Sequence, residues 1–390
     1  MSSYISSNDN RWYCQLEAAY GQVGSIAAQN RFPAVKLTAR QQLELGERRD
    51  KNGSRTFVGN PPNGRRKTTF DIKTYMTTLS QPGASPAYGP LFQAAMGAPG
   101  QIFHGATSSS TSSVTTIGFT APHGLAVQQA VQYNGELRFV AAVIDASTVL
   151  VNAPFSIAPT AGASIGPTVT YGLASVLPSL SIFDYWSPAT AVHRILSGAA
   201  IDKFSVNING DYHEFQFSGV AQDLIDSTSF SSGSGQLTAF PAEPAAGNFD
   251  YTIVAGHLGQ AWMGAVATRF YTITSAAVQL GNNLDLRARE FGSTLPRAIS
   301  PGRRTVTMDL DLFEQDDAAT PELYQAARQQ SPISISFQLG QSAGQLFGVS
   351  MNSVVPEVPE FEDSDRRLQW KFRNSRSQGT ANDEIVVAFG

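Results

Sequence analysis

Three pairs of closely spaced carboxylates could support acid–base chemistry in this sequence: Asp309/Asp311, Asp316/Asp317 and Asp363/Asp365. A glycosidase needs two such groups facing each other across a cleft. Asp309 and Asp311 stand two residues apart in an alternating stretch, which puts both on one face of a strand, and the reading is a solvated sheet face. Asp316/Asp317 precedes a helix start and Asp363/Asp365 falls in a hairpin turn, both ordinary positions for aspartate. The five histidines, His104, His123, His193, His213 and His257, lack metal-ligand spacing and read as surface or packing residues. The sequence has no Gly-Lys dipeptide, no HExxH and no GxGxxG opening a helix. Cys14 is the single cysteine and has no nearby histidine, so it reads as a buried or inert thiol. One cysteine excludes a disulfide framework and a multi-thiolate metal site within one chain. No cofactor and no catalytic residue is expected.

Charge offers a second kind of chemistry. The runs Glu47-Arg48-Arg49-Asp50-Lys51 and Gly64-Arg65-Arg66-Lys67 bracket a loop at 52–63 whose one aromatic residue is Phe57. Without interleaved aromatics to stack nucleobases, this loop is either solvated or docked on an acidic patch of another subunit. Residues 1–106 carry 12 Lys+Arg against 6 Asp+Glu, and residues 173–260 carry 2 against 8. That asymmetry fits complementary self-association, and 21 Arg against 6 Lys favours bidentate carboxylate pairing. A net charge of −4 argues against a basic nucleic-acid groove.

The elements that must carry these residues are mostly strands. Apolar residues recur at every second position in Phe204-Ser205-Val206-Asn207-Ile208-Asn209, Ile333-Ser334-Ile335-Ser336-Phe337 and Leu368-Gln369-Trp370-Lys371-Phe372-Arg373. Each predicts a half-buried antiparallel strand, apolar toward a core and polar toward water. Helices are predicted near 90–96 and 321–329, the second capped by Thr320 with Pro321 in its first position. With 390 residues, 42% of them hydrophobic, the chain is long enough for two or three domains. The polar start of the chain shows no secretory signal and no run reaches membrane-spanning length, so a reducing, soluble compartment is expected.

The sequence repeats itself. Gly64-Arg65-Arg66-Lys67-Thr68-Thr69-Phe70-Asp71-Ile72 aligns with Gly302-Arg303-Arg304-Thr305-Val306-Thr307-Met308-Asp309-Leu310. Leu91-Phe92-Gln93-Ala94-Ala95 then aligns with Leu323-Tyr324-Gln325-Ala326-Ala327, and Pro178-Ser179-Leu180-Ser181-Ile182-Phe183 with Pro332-Ile333-Ser334-Ile335-Ser336-Phe337. Three anchors in one order argue for a duplicated domain. The first copy holds about 78 extra residues between its second and third anchors. Their alternating segments and sparse charge predict a small β-domain inserted at an exposed loop.

Trp12, Glu17, Tyr20-Gly21, the long basic loop, the strand at 68–75, Leu91-Phe92-Gln93-Ala94-Ala95-Met96-Gly97 and the strands around 198–206 together resemble the major tail tube proteins of long-tailed bacteriophages. Arg303-Arg304 with its strand, the second helix and the closing stretch 379–390 resemble them again. The resemblance covers residues 1–106 and 173–390. It implies a mainly β fold: two duplicated tail-tube β-barrel or sandwich domains, each with a short helix, plus a small inserted β-domain. The expected boundaries are 1–100 with 176–245, then 101–175 for the insertion, and 246–390.

The implied function is structural. Stacked rings form the tail tube, a conduit for double-stranded DNA passing without specific binding. The expected partners are further copies of the chain in trimeric, pseudo-sixfold rings, and the tail terminator, tape measure and baseplate or tip proteins. Assembly in the host bacterial cytoplasm and residence in the virion tail follow. Arg48, Arg49, Arg55, Arg65 and Arg66 are expected at contacts between rings, against acidic surface within 202–226. Asp71, Glu214 and Asp309 are expected to face the lumen, in a lining that is acidic or neutral. The alternative is a carbohydrate-binding or adhesin-like β-protein of the tail, whose insertion would offer Tyr133 and Tyr171. A glycosidase is a third reading.

Overall fold

The computed structural model describes residues 4–46, 51, 53–57, 59, 64–245, 252–264, 266–363 and 366–390. Alternation builds its main sheet. In Arg65–Tyr75 the side chains of Thr68, Phe70, Ile72 and Thr74 are buried, while Thr69, Asp71, Lys73 and Tyr75 are not. Thr305–Phe313 repeats the pattern with Val306, Met308, Leu310 and Leu312 inside. Antiparallel pairing joins eight strands into one inner sheet, in the order Ala34–Glu44, Arg65–Tyr75, Glu214–Ala221, Arg194–Ile208, Ile273–Gly281, Thr305–Phe313, Gln369–Ser377 and Glu360–Glu362. The first four strands come from the first half of the chain and the last four from the second.

A second layer lies behind it in two pieces. The first runs Arg31–Phe32, Asn10–Leu16, Leu180–Trp186, Arg194–Ile208 and Asp223–Asp226. The second runs Thr268–Phe270, Gly259–Gly264, Ile333–Leu339, Phe347–Val355 and Val386–Phe389. Strand for strand, the hydrogen-bonding of the first half recurs in the second. Arg194–Ile208 belongs to both layers, and its counterpart is interrupted: Phe347–Val355 runs in the outer layer and reaches the inner one only at Val354 and Val355, opposite Ser377 and Arg376, and Glu360–Glu362 resumes in the inner one. Pro356 and Pro359 stand in the gap, where the missing N–H groups cannot sustain a ladder.

The pairing corrects one sequence anchor. Leu180 and Ile182 lie opposite Ala199 and Leu196 across a bulge, as Ile333 and Ile335 lie opposite Val354 and Met351. The aligned prolines, Pro178 and Pro332, are therefore one residue out of structural register, a slip that exchanges the two faces of a strand. Ile333–Leu339 also departs from the expected half-buried pattern, because Ser336 and Gln338 on its polar face are 7% and 2% exposed. An inserted unit covers Gln338.

Both helices form, over Gly89–Met96 and Ala319–Gln329. The second starts earlier than the sequence suggests: the Asp317 carboxylate accepts bonds from Thr320 N and Thr320 Oγ1, each 3.0 Å. Asp317, rather than Thr320, satisfies the first turn, and Pro321 lies within it. The first helix is nearly all core. Phe92 packs on Phe204, Phe215 and Phe217 of the inner sheet at 5.1–5.2 Å, and on Phe347 and Phe389 of the second outer sheet at 5.7 and 5.1 Å between ring centroids. Asn282 Nδ2 donates to Ala95 O and Ile201 O, both at 3.0 Å, tying the start of the second half to the helix.

The inserted unit carries its own small core of Phe103, Ile117, Val131, Val140, Val149 and Phe155, among others. Its ends do not merely cross a loop. Gln101–Phe103 and Thr168–Tyr171 pair with each other, and Thr168–Tyr171 pairs with Val386–Phe389, so both extend the second outer sheet. Leu137 and Phe139 press on Leu346, Val386 and Ala388, the sheet face turned away from the main core. A buried polar cluster completes the joint. Arg138 donates to Gln260 Oε1 at 2.9 Å and to Gln338 Oε1 at 3.2 Å, lies over Trp262 at 5.0 Å, and pairs with Glu136 at 3.1 Å. The first outer sheet has a different cover: Phe230, Leu237 and Phe240 pack on Tyr13, Phe183 and Tyr185, and Glu243 accepts bonds from Arg11 and from Tyr13.

Candidate functional site

The polar face of the inner sheet is a surface to which both halves of the chain contribute. Lys36, Asp71, Lys73, Lys203, Gln216 and Gln279 line a shallow trough on it that crosses the junction of the two halves. Asp71, Glu214 and Asp309 all stand on strands of this sheet, at positions whose neighbours in sequence point into the core. Alternation therefore brings the three expected lumen residues to one face. They differ in freedom. Asp71 is exposed, Glu214 pairs with Lys73 Nζ at 2.6 Å, and Asp309 Oδ1 accepts the Asn374 backbone N–H at 2.8 Å.

The face is of mixed sign. Toward its first edge Lys36, Arg40, Lys67, Lys73 and Lys203 outnumber Asp71 and Glu214. Toward its second edge Asp309, Asp311, Glu360 and Glu362 meet Lys371 and Arg373. Several charges are neutralised locally: Asp311 pairs with Arg373, and Glu362 with Lys371. The bond from Asp311 raises the pKa of the Arg373 guanidinium, which is charged at any physiological pH in any case.

The five arginines expected between rings separate into groups. Arg48 and Arg49 lie outside the described residues, and Arg55 is exposed. Arg65 pairs across the strand ladder with Glu44. Arg66 Nη1 reaches Asp223 at 3.2 and 3.3 Å, and Gln41 Nε2 reaches the same carboxylate at 2.8 Å. The base of the basic loop thus meets the acidic stretch within one chain.

Residues considered for chemistry serve packing. Cys14 is buried with Sγ 3.6 Å from Ala87 O, and burial pushes its thiol pKa up. His123, His193 and His213 each place Nε2 at 2.9–3.1 Å from a backbone carbonyl. Burial lowers the pKa of His213, favouring the neutral ring. Asp317 caps a helix, and Asp365 lies outside the described residues. Tyr133 packs edge-on to Phe155, and Tyr171 is 1% exposed, so neither offers a flat ring for a sugar. Among the described residues no cluster of His, Cys, Asp or Glu could hold a metal ion.

Sequence reasoning missed the two ends of the sheet. Ala34–Glu44 pairs on one side only, with Arg65–Tyr75, and Glu360–Glu362 on one side only, with Gln369–Ser377. Among the described residues the outer rims of both strands are unpaired. One rim is basic, with Lys36 and Arg40 exposed; the other is acidic, with Glu360 exposed and Glu362 partly so. The signal for the first was an 11-residue alternating segment of marked polarity; the second is too short to have given one.

The inner sheet is thus continuous across both halves of the chain, with one polar face and, among the described residues, two open edges of opposite charge. The comparison with curated proteins returns no match. The comparison with protein families matches residues 16–385 to the family described as phage tail tube protein, and over that span, nearly the whole chain, the chain belongs to it.

Proposed function

We propose that this tail tube protein closes rings of three chains, and that the rings stack into a conduit for double-stranded DNA during genome delivery. The observation that carries the reading is the junction inside the chain. Residues 203–208 of the first half pair with residues 276–281 of the second, so the inner sheet passes from one copy to the next without an edge. Two tube domains, 1–100 with 176–245 and then 246–390, thereby act as consecutive segments of one wall. Three chains then complete six segments, a ring with pseudo-sixfold symmetry. Closure removes the open rims, which would otherwise be templates for uncontrolled strand addition.

The polar face supplies the lumen in this reading. Its cations are interspersed with Asp71, Glu214, Asp309, Asp311, Glu360 and Glu362, so the face has no one-sign basic track for phosphates and DNA slides rather than sticks. The unit at 101–175 packs on the outer sheet's far face, two layers away from that polar face, and so projects outside the tube. Exposed Arg55, together with Arg48, Arg49, Arg65 and Arg66, serves contacts between stacked rings. Assembly takes place in the host cytoplasm, and the tube ends meet terminator, tape measure and baseplate or tip proteins. Electron microscopy of the purified chain tests the reading: uniform hollow tubes are expected, and protein that stays monomeric under all polymerising conditions contradicts it.

A further inference from the structure

We propose that the acidic rim of one chain pairs with the basic rim of a second copy in one register, with Glu360 opposite Arg40, Phe361 opposite Ala39 and Glu362 opposite Thr38. The proposal rests on the ring reading and specifies its interface. It follows from using the junction within the chain as the template for the junction between chains.

The template is explicit. Inside the chain Ser205 pairs with Gln279, Val206 with Val278 and Asn207 with Ala277. The acidic rim stands in the place of the first set. Ser205, Val206 and Asn207 pair with Gln216, Phe215 and Glu214, as Glu360, Phe361 and Glu362 pair with Lys371, Trp370 and Gln369. The next strand agrees: Phe215 packs against Phe92 of the first helix at 5.1 Å, and Trp370 against Tyr324, its counterpart in the second, at 5.5 Å. The basic rim stands in the place of the second set. Gln279, Val278 and Ala277 pair with Thr307, Met308 and Asp309, as Arg40, Ala39 and Thr38 pair with Thr69, Phe70 and Asp71.

Two features of the rims fit this register. Glu360 comes directly opposite Arg40, and Glu362 lies diagonal to both Arg40 and Lys36, within reach of long side chains. Lys36 and Arg40 have no ion pair among the described residues, so these cations are free to take the carboxylates. On the other face Phe361, 54% exposed in the single chain, comes over Ala39, where a small side chain leaves room for the ring. Slipping by two residues would set Glu362 against Lys36 or Arg40 but Glu360 against Thr38 or Gln42, and would put Phe361 over Leu37 or Gln41 in place of the small Ala39.

Cysteine cross-linking reads the register directly, because the native Cys14 is fully buried. The chain carrying Phe361→Cys and Ala39→Cys, polymerised and then oxidised, is expected to give a covalent trimer on a denaturing gel. Phe361→Cys with Leu37→Cys, or with Gln41→Cys, is expected to give at least tenfold less. Charge reversal supplies a second measurement. Glu360→Arg with Glu362→Arg, and separately Lys36→Glu with Arg40→Glu, should each abolish polymerisation while the monomer keeps its circular dichroism, and all four changes in one chain should restore it. Tubes that form but cross-link best through position 37 or 41, or that survive both reversals, overturn the register and leave the ring reading intact. A parent chain that forms no rings overturns both.

Discussion

Phe92 and Tyr324 occupy the same place in the two copies, and the structure gives them very different work. Phe92 touches rings from the inner sheet, the second outer sheet and the inserted unit, including Tyr171 at 6.0 Å, and is 0% exposed. Tyr324 is only partly buried, against Trp370 and Phe361 at 5.5 and 5.9 Å. Among the described residues Tyr324 has no ring contact matching those of Phe92 with Phe347 and Phe389. Truncating a buried phenylalanine costs about 3–5 kcal/mol, counting both lost transfer energy and the cavity. Each edge-on aromatic pair adds about 0.5–1.5 kcal/mol, so Phe92→Ala falls at the top of that range. Tyr324→Ala loses two aromatic pairs, about 1–3 kcal/mol in the monomer. Urea denaturation of the unpolymerised chain measures both, and the account expects a gap of at least about 2 kcal/mol between them. Tyr324→Ala should in addition raise the protein concentration needed to polymerise, because the neighbouring chain completes its surroundings. Equal losses in the monomer, or normal polymerisation of Tyr324→Ala, would refute the claim that the second helix is finished by a second copy.

Arg138→Met strands the carbonyls and carboxamides that Arg138 holds and leaves Glu136 uncompensated, so a loss of about 3–5 kcal/mol is expected by denaturation, with less in the double variant Glu136→Gln/Arg138→Met. Burial alone would raise the Glu136 pKa, but bonds from Ser156 and Gln260 and the charge of Arg138 hold it below its ordinary value. Its contribution is therefore present above the unfolded-state pKa of about 4.3 and is lost as pH falls through the folded value, and Glu136→Gln should flatten that part of the acid-unfolding curve. Burial brings Arg138 down to about 10, which keeps it charged throughout this range. Asp71→Lys should leave tubes normal and slow DNA ejection, since it adds a free cation to the polar face; unchanged ejection would place that position outside the lumen. Arg55→Glu with Arg65→Glu should shorten tubes and lower their salt resistance without changing ring composition, because exposed pairs worth about 0–1 kcal/mol matter only when repeated around a ring. Tubes of unaltered length would remove this loop from the stacking contacts.

Much of the wall was legible in the sequence because alternation is a local property. Thr68 to Tyr75 and Thr305 to Leu312 declare their buried faces residue by residue, and the duplicated anchors put matching strands and helices in matching order. Pairing across the junction was not legible. Alternation fixes which side chains share a face of the strand at 203–208 but says nothing of the partner some 70 residues on, which long-range packing through Phe92 and Asn282 selects. The acidic rim was invisible for another reason: Glu360–Glu362 is a three-residue strand isolated by two prolines, shorter than any periodic signal. Gln338 misled by its chemistry, since a glutamine on an alternating strand reads as facing water, whereas here it accepts Leu137 N at 2.7 Å and donates to Gly135 O at 2.9 Å beneath the inserted unit. The one-residue slip at Pro178 and Pro332 has the same origin, for a bulge changes register without changing composition.

The most direct test of the central claim is the number of chains in each ring, read from image reconstruction of assembled tubes together with their mass per unit length. The account predicts three chains per ring, six similar wall segments around the lumen and three projections outside, one for each inserted unit. Six full chains per ring, with the second half of each held outside the wall, would contradict it.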